Sequence, residues 1–93
     1  SAASDVYKRQ GRDIRLNPTC LQLLRELMQQ SPGIVSRRRL ETVLWQGEPP
    51  ASDSLRSNLY LLRQAVDKPF DRPLIHTHPG LGWYVADLSD SVS

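Results

Sequence analysis

Residues 53–86 read DSLRSNLYLLRQAVDKPFDRPLIHTHPGLGWYVA, and their hydrophobic period changes once. In the first half, Leu55, Leu59, Leu62 and Val66 stand at i, i+4, i+7 and i+11, the apolar stripe of an amphipathic helix. A cap at Ser52, Asp53 or Ser54 starts this helix, which runs to about Asp67. The stretch Lys68-Pro69-Phe70-Asp71-Arg72-Pro73 breaks it. Two short runs follow, Leu74–His78 and Trp83–Ala86, rich in aliphatic and aromatic residues and separated by Pro79-Gly80-Leu81-Gly82. That spacing predicts a β-hairpin.

Working outward toward the N-terminus, two further helices precede this unit. Asn17 is a good N-cap, and Pro18 loses nothing at a first helical position by lacking an N–H. Leu21, Leu24, Leu27 and Met28 then recur with helical spacing, with Cys20 and Leu23 beside them, until Ser31-Pro32-Gly33 stops the pattern. A second start signal stands at Ser36; Leu40, Val43 and Leu44 share one face, Trp45 is near the end, and the helix stops around Gly47. Glu48 to Asp53 is a loop by composition. Before Asn17 the pattern is thin. Ile14 and Leu16 alternate with Asp13 and Arg15, enough for a short hairpin with Val6–Gln10 but not for more. Residues 1–10 are expected as a tail or linker remnant, or as part of that hairpin. Residues 11–88 form the domain and residues 89–93 a polar C-terminal tail.

Ninety-three residues with 24% charged side chains allow one core and no second one. Twelve Lys and Arg against ten Asp and Glu give a formal net charge of +2, mildly basic, and every Lys and Arg except Arg72 precedes Asp71. Such a balance is compatible with a polyanionic partner without requiring one. The single cysteine, Cys20, excludes an internal disulfide framework and a paired-thiol zinc site, and on the core stripe of its helix it reads as a small buried hydrophobe. No apolar run approaches a membrane span and no leader pattern opens the chain, so membrane contact is not expected and a cytoplasmic setting is. His76 and His78 share a strand face, but the pattern places no third ligand beside them, so no metal or other cofactor is expected. Nor is there a nucleophile–base–acid order, a phosphate-cradling glycine loop or a carboxylate pair, and no enzymatic activity is expected.

Three helices followed by a C-terminal hairpin make a mainly α, α+β fold, the layout of a winged helix-turn-helix. In that layout the third helix is held by the core on one side and is free on the other to enter a major groove about 12 Å wide. Its outer face carries Ser57, Tyr60, Leu61 and Gln64, flanked by Arg56. Asn58 and Gln64 have amides able to pair with adenine edges; Arg56 and Arg63 suit guanine or phosphate. Ser54 opens the helix. Arg37-Arg38-Arg39 could position the duplex through phosphates, although three consecutive helical residues span about 200° and cannot all face one partner. Thr77 and His78 lie beside the turn of the wing, residues 77–81. Trp45 and Trp83 read as core residues rather than stacking platforms.

The sequence resembles the C-terminal effector domains of OmpR/PhoB-type response regulators. The resemblance is carried by Leu16-Asn17-Pro18-Thr19, Leu23-Leu24, Pro32-Gly33, Val35-Ser36-Arg37-Arg38-Arg39-Leu40, Leu44-Trp45, Leu55, Leu59, Leu62-Arg63 and Gly80-Leu81-Gly82-Trp83, in order, over about Gly11 to Leu88. It implies a bacterial transcription factor of a two-component phosphorelay that binds double-stranded DNA at direct repeats. A dimer on DNA and a contact with RNA polymerase are partners the resemblance admits. The chain also departs from the pattern. Asn17-Pro18-Thr19-Cys20 lacks the acid of the usual Thr-Pro-x-Glu, Arg56 replaces an acid, Tyr60-Leu61 replace a basic pair, and Pro79 replaces an arginine ahead of the wing. The family's four-stranded N-terminal sheet has only a hairpin's worth of chain here. These losses favour one alternative, a winged helix serving protein interaction, with Tyr60 and Leu61 as an apolar contact pair.

Overall fold

In the computed structural model, residues 6–51 and 53–86 are described, together with the backbone of Ser91 and Val92. The helices form where caps and apolar stripes coincide. Helix α1 spans Pro18–Gln30; the Asn17 side chain accepts from the Cys20 N–H at 2.7 Å and Pro18 occupies the first turn. Helix α2 spans Arg37–Trp45; the Ser36 hydroxyl accepts from the Arg39 N–H at 3.1 Å, and Gln46 closes the helix in the left-handed conformation. Helix α3 spans Ser54–Val66, and its N-cap residue Asp53 makes no side-chain capping bond. Ser54 instead turns its hydroxyl to the Ala51 N–H at 2.9 Å. Ser52, one of the three candidate caps, lies outside the described residues.

Two small antiparallel sheets flank the helices. Strands β1 (Val6–Arg9) and β2 (Arg12–Arg15) pair Val6 with Arg15 and Arg9 with Arg12 across Gln10-Gly11. Both turn residues have positive φ, 52° and 78°, as a twisted two-residue hairpin loop requires. Strands β3 (Ile75–His78) and β4 (Gly82–Val85) form the wing, and the Leu81 N–H closes its turn on the His78 carbonyl at 3.0 Å. Val35, between α1 and α2, adds an isolated bridge to Trp83, so the free edge of β4 is tied to the helix 1–helix 2 junction. A fifth strand, β5 (Ser91–Val92), pairs antiparallel with β1, giving a three-stranded order β2-β1-β5. The N-terminal hairpin was expected; a third strand from the C-terminal stretch was not, because two residues are too short for a period. Residues 1–5, 87–90 and 93, which cover parts of the expected tails and the last two residues of the expected domain, lie outside the described residues.

The core is one cluster. Leu21, Leu23, Leu24 and Leu27 of α1 meet Leu40 of α2, Leu55, Leu59, Leu62 and Val66 of α3, and Ile75 and Val85 of the wing, with Tyr7 and Leu16 closing it from the N-terminal side. Trp45 and Trp83 are half-buried and pack against it. The whole stripe of α3 is therefore spent on the core, which leaves its opposite side without cover. Among the described residues no helix is long and apolar enough to cross a membrane.

Candidate nucleic-acid interface

Because Leu55, Leu59, Leu62 and Val66 face inward, 3.6-residue periodicity turns Arg56, Ser57, Tyr60 and Leu61 outward, and all four are exposed. Tyr60 is 63% and Leu61 51% exposed, the reverse of what their apolar surface favours. Gln64 is half-buried at the flank. A cleft of about 470 Å³ opens between the start of α2, the flank of α3 and the wing, lined by Arg37, Arg56, Leu59, Tyr60, Arg63, Gln64, Thr77 and Trp83. Arg37, Arg56 and Arg63 thus line one concavity together with the apolar Leu59 and Trp83.

The remaining candidates divide by what they touch. The Arg63 guanidinium donates to Thr77 Oγ1 at 2.6 Å and to the Ile75 carbonyl at 3.4 Å, fastening the wing to α3. Asn58 is turned toward α1: its Nδ2 donates to the Ser54 carbonyl at 2.8 Å, and the Cys20 thiol lies 3.5 Å from its backbone oxygen. Of the arginine run, Arg37 pairs with Glu41 at 3.2 Å, Arg38 extends to solvent, and Arg39 pairs at 3.0 Å with Glu26, which is buried on α1. The 200° spread of three consecutive residues is the reason they part company. Thr77 and His78 are exposed on the wing, and His76 stacks on Tyr84 with centroids 5.0 Å apart. Among the described residues no group of three or more His, Cys, Asp or Glu could hold a metal ion.

Two residues that organise this region escaped the sequence reading. Arg9, in a stretch with no sustained pattern, is 3% exposed. Glu26 is buried although it carries charge. Periodicity read from the sequence puts Glu26 on the polar side of α1 with Gln22 and Arg25; the structure instead buries it, three residues after Leu23, where Arg39 of α2 meets it. Arg9 had no signal, because burial of a strand residue depends on what packs above it.

Three helices with a hairpin tied to the end of the third, and an uncovered outer face on that helix, define a winged helix-turn-helix. The sequence profile of the family described as "Transcriptional regulatory protein, C terminal" matches residues 11–85, and the chain belongs to that family of OmpR/PhoB-type C-terminal domains, which are transcription-regulator domains rather than enzymes. Among solved structures, the C-terminal domain of the lantibiotic response regulator NsrR, the nisin resistance regulator, is similar at 25% identity and a TM-score of 0.75, over 88% of this chain and 84% of that one. The DNA-binding domain of CadC from E. coli is similar at 26% identity and a TM-score of 0.77, over 90% and 80%. The DNA-binding domain of RstA from Klebsiella pneumoniae, solved in complex with the RstA box, shares the fold at 22% identity and a TM-score of 0.67, over 82% and 77%. Comparison of the sequence with curated proteins finds no match.

Proposed function

We propose that this chain is the double-stranded DNA-binding output domain of a bacterial two-component transcription regulator. The uncovered face of α3, with the arginine-lined cleft beside it, carries the reading. Arg56, Ser57, Tyr60, Leu61 and Gln64 enter the major groove, Leu61 reaching thymine methyl groups and Gln64 adenine edges. Arg37 and Arg38 hold phosphates from the start of α2, and Thr77 and His78 bring the wing to the neighbouring backbone. Ser54, Asn58, Arg39 and Arg63, each bonded within the fold, serve by holding these groups in place. Two copies on a direct-repeat operator, and a contact with RNA polymerase, complete the proposal. The similarity to the DNA-binding domain of CadC supports it.

Fluorescence anisotropy with a labelled mixed-sequence duplex tests the reading directly. Roughly four to six phosphate contacts give a log–log dependence on salt with a slope of about −4 to −5. Flat or absent binding at low salt overturns it. The exposure of Tyr60 and Leu61 supports a second reading, a protein-interaction surface, and Leu61→Arg separates the two. It strengthens duplex binding if α3 faces phosphate and base edges, and abolishes partner binding if α3 faces an apolar surface.

A further inference from the structure

Helix α3 packs through apolar side chains, and apolar burial is non-directional. Burial of Leu55, Leu59 and Leu62 keeps the helix against the core. At its C-terminal end the contacts are of another kind. The Arg9 guanidinium, buried on β1, donates through Nη1 to the carbonyl of Val66, the last residue of α3. Through Nη2 it donates to the Arg72 carbonyl in the following loop at 2.7 Å. It lies over the Phe70 ring at 4.5 Å and 3.8 Å from the Asp67 carboxylate. Asp67 in turn accepts from the Leu74 N–H at 2.7 Å and the Ile75 N–H at 3.4 Å, where β3 begins. One rigid planar fork therefore joins the N-terminal sheet to the end of α3, and its carboxylate neighbour joins that end to the wing.

We propose that Arg9 is a positioning residue for base readout: it sets the attitude of α3 against the N-terminal sheet, and so sharpens sequence selectivity without touching DNA. The inference rests on the DNA-binding reading above. A buried cation is a poor source of stability compared with an apolar side chain of similar volume, so geometry accounts for it better. Its placement at the negative end of the helix dipole makes it favourable there. Base-edge hydrogen bonds depend on direction, whereas phosphate attraction does so much less. Loosening the pitch of α3 thus costs selective binding first.

The test compares the wild-type chain with Arg9→Met and Arg9→Lys on two duplexes, one selected by the wild-type chain from a randomised pool and one shuffled from it. Amide exchange at Leu74 and Ile75 is followed in parallel. In Arg9→Met the ratio of selected to shuffled affinity falls roughly five- to tenfold, while affinity for the shuffled duplex and its salt slope stay within about twofold. Exchange at both amides speeds up about tenfold. Arg9→Lys keeps a cation beside Asp67 but cannot span two carbonyls, so it folds and shares the loss of selectivity; it decides the matter if Arg9→Met does not fold. An unchanged ratio, equal losses on both duplexes, or full selectivity in Arg9→Lys overturns the proposal. A wild-type chain that selects no duplex from the pool removes the DNA-binding reading, and the selectivity role with it. The exchange arm then reads the grip on α3 by itself, and unchanged protection in Arg9→Lys shows that no such grip exists.

Discussion

At Gly82 the backbone has φ +154°, and a Cβ there would lie 2.0 Å from the Val35 carbonyl oxygen and 2.7 Å from its carbon. Gly80, two residues earlier, has φ +79° and nothing within 4 Å of the same position. The two glycines look alike in the sequence and fail differently. Gly80→Ala carries only the backbone penalty, about 1 kcal/mol. Gly82→Ala adds a collision with main chain that cannot step aside, and lowers stability by about 2–3 kcal/mol, with the Val35–Trp83 bridge broken. Urea unfolding of both variants checks the difference. Cys20 offers a second residue-scale outcome. Burial pushes its thiol above the ordinary value of 9.0, partly offset by the Asn17 side chain beside it. A raised folded value means the unfolded chain loses this proton first, so stability falls as pH rises past about 9. Cys20→Ala loses that component of the decline, which appears as a shallower stability–pH curve than the wild type above the same pH.

Among the elements, the caps separate what the sequence specifies from what the packing decides. Asn17 and Ser36 each accept an orphan N–H of the helix that follows, whereas Asp53 makes no such bond. Asn17→Ala and Ser36→Ala each lower stability by about 1 kcal/mol. Asp53→Ala costs about 0.5 kcal/mol or less, the residue of its charge near a helix N-terminus. In a domain of this size the first two shift Tm by about 4–8 °C, which a thermal melt resolves from the third. α1 and α3 were legible because each repeats its apolar stripe over several turns: Leu55, Leu59, Leu62 and Val66 are all buried as the period demands. The wing was legible through Pro79, Gly80 and Gly82 between two β-rich runs. The N-terminal sheet was legible only as a hairpin, since Ile14 and Leu16 give one alternation and Ser91-Val92 none.

For the molecule as a whole, the outward face of α3 followed from the sequence once its inward face did. Which members of that face remain available did not follow, because it depends on contacts made across the fold. Arg39 meets Glu26 thirteen residues earlier in the chain, Arg63 meets Thr77 fourteen residues later, and Asn58 meets Cys20 of α1. No local pattern encodes such partners. The pairing of β5 with β1 belongs to the same class, and it has a consequence for the folding kinetics. Tyr7 and Val92 are neighbours far apart in sequence, so that ladder closes the longest loop of any strand pairing among the described residues. Closure so large is entropically late, whereas the contacts among α1, α2 and α3 are comparatively local. The β1–β5 ladder is therefore expected to form after the transition state. Removing the chain from Ser91 onward raises the unfolding rate and leaves the refolding rate nearly unchanged, the signature in a chevron plot of a latch that shuts last.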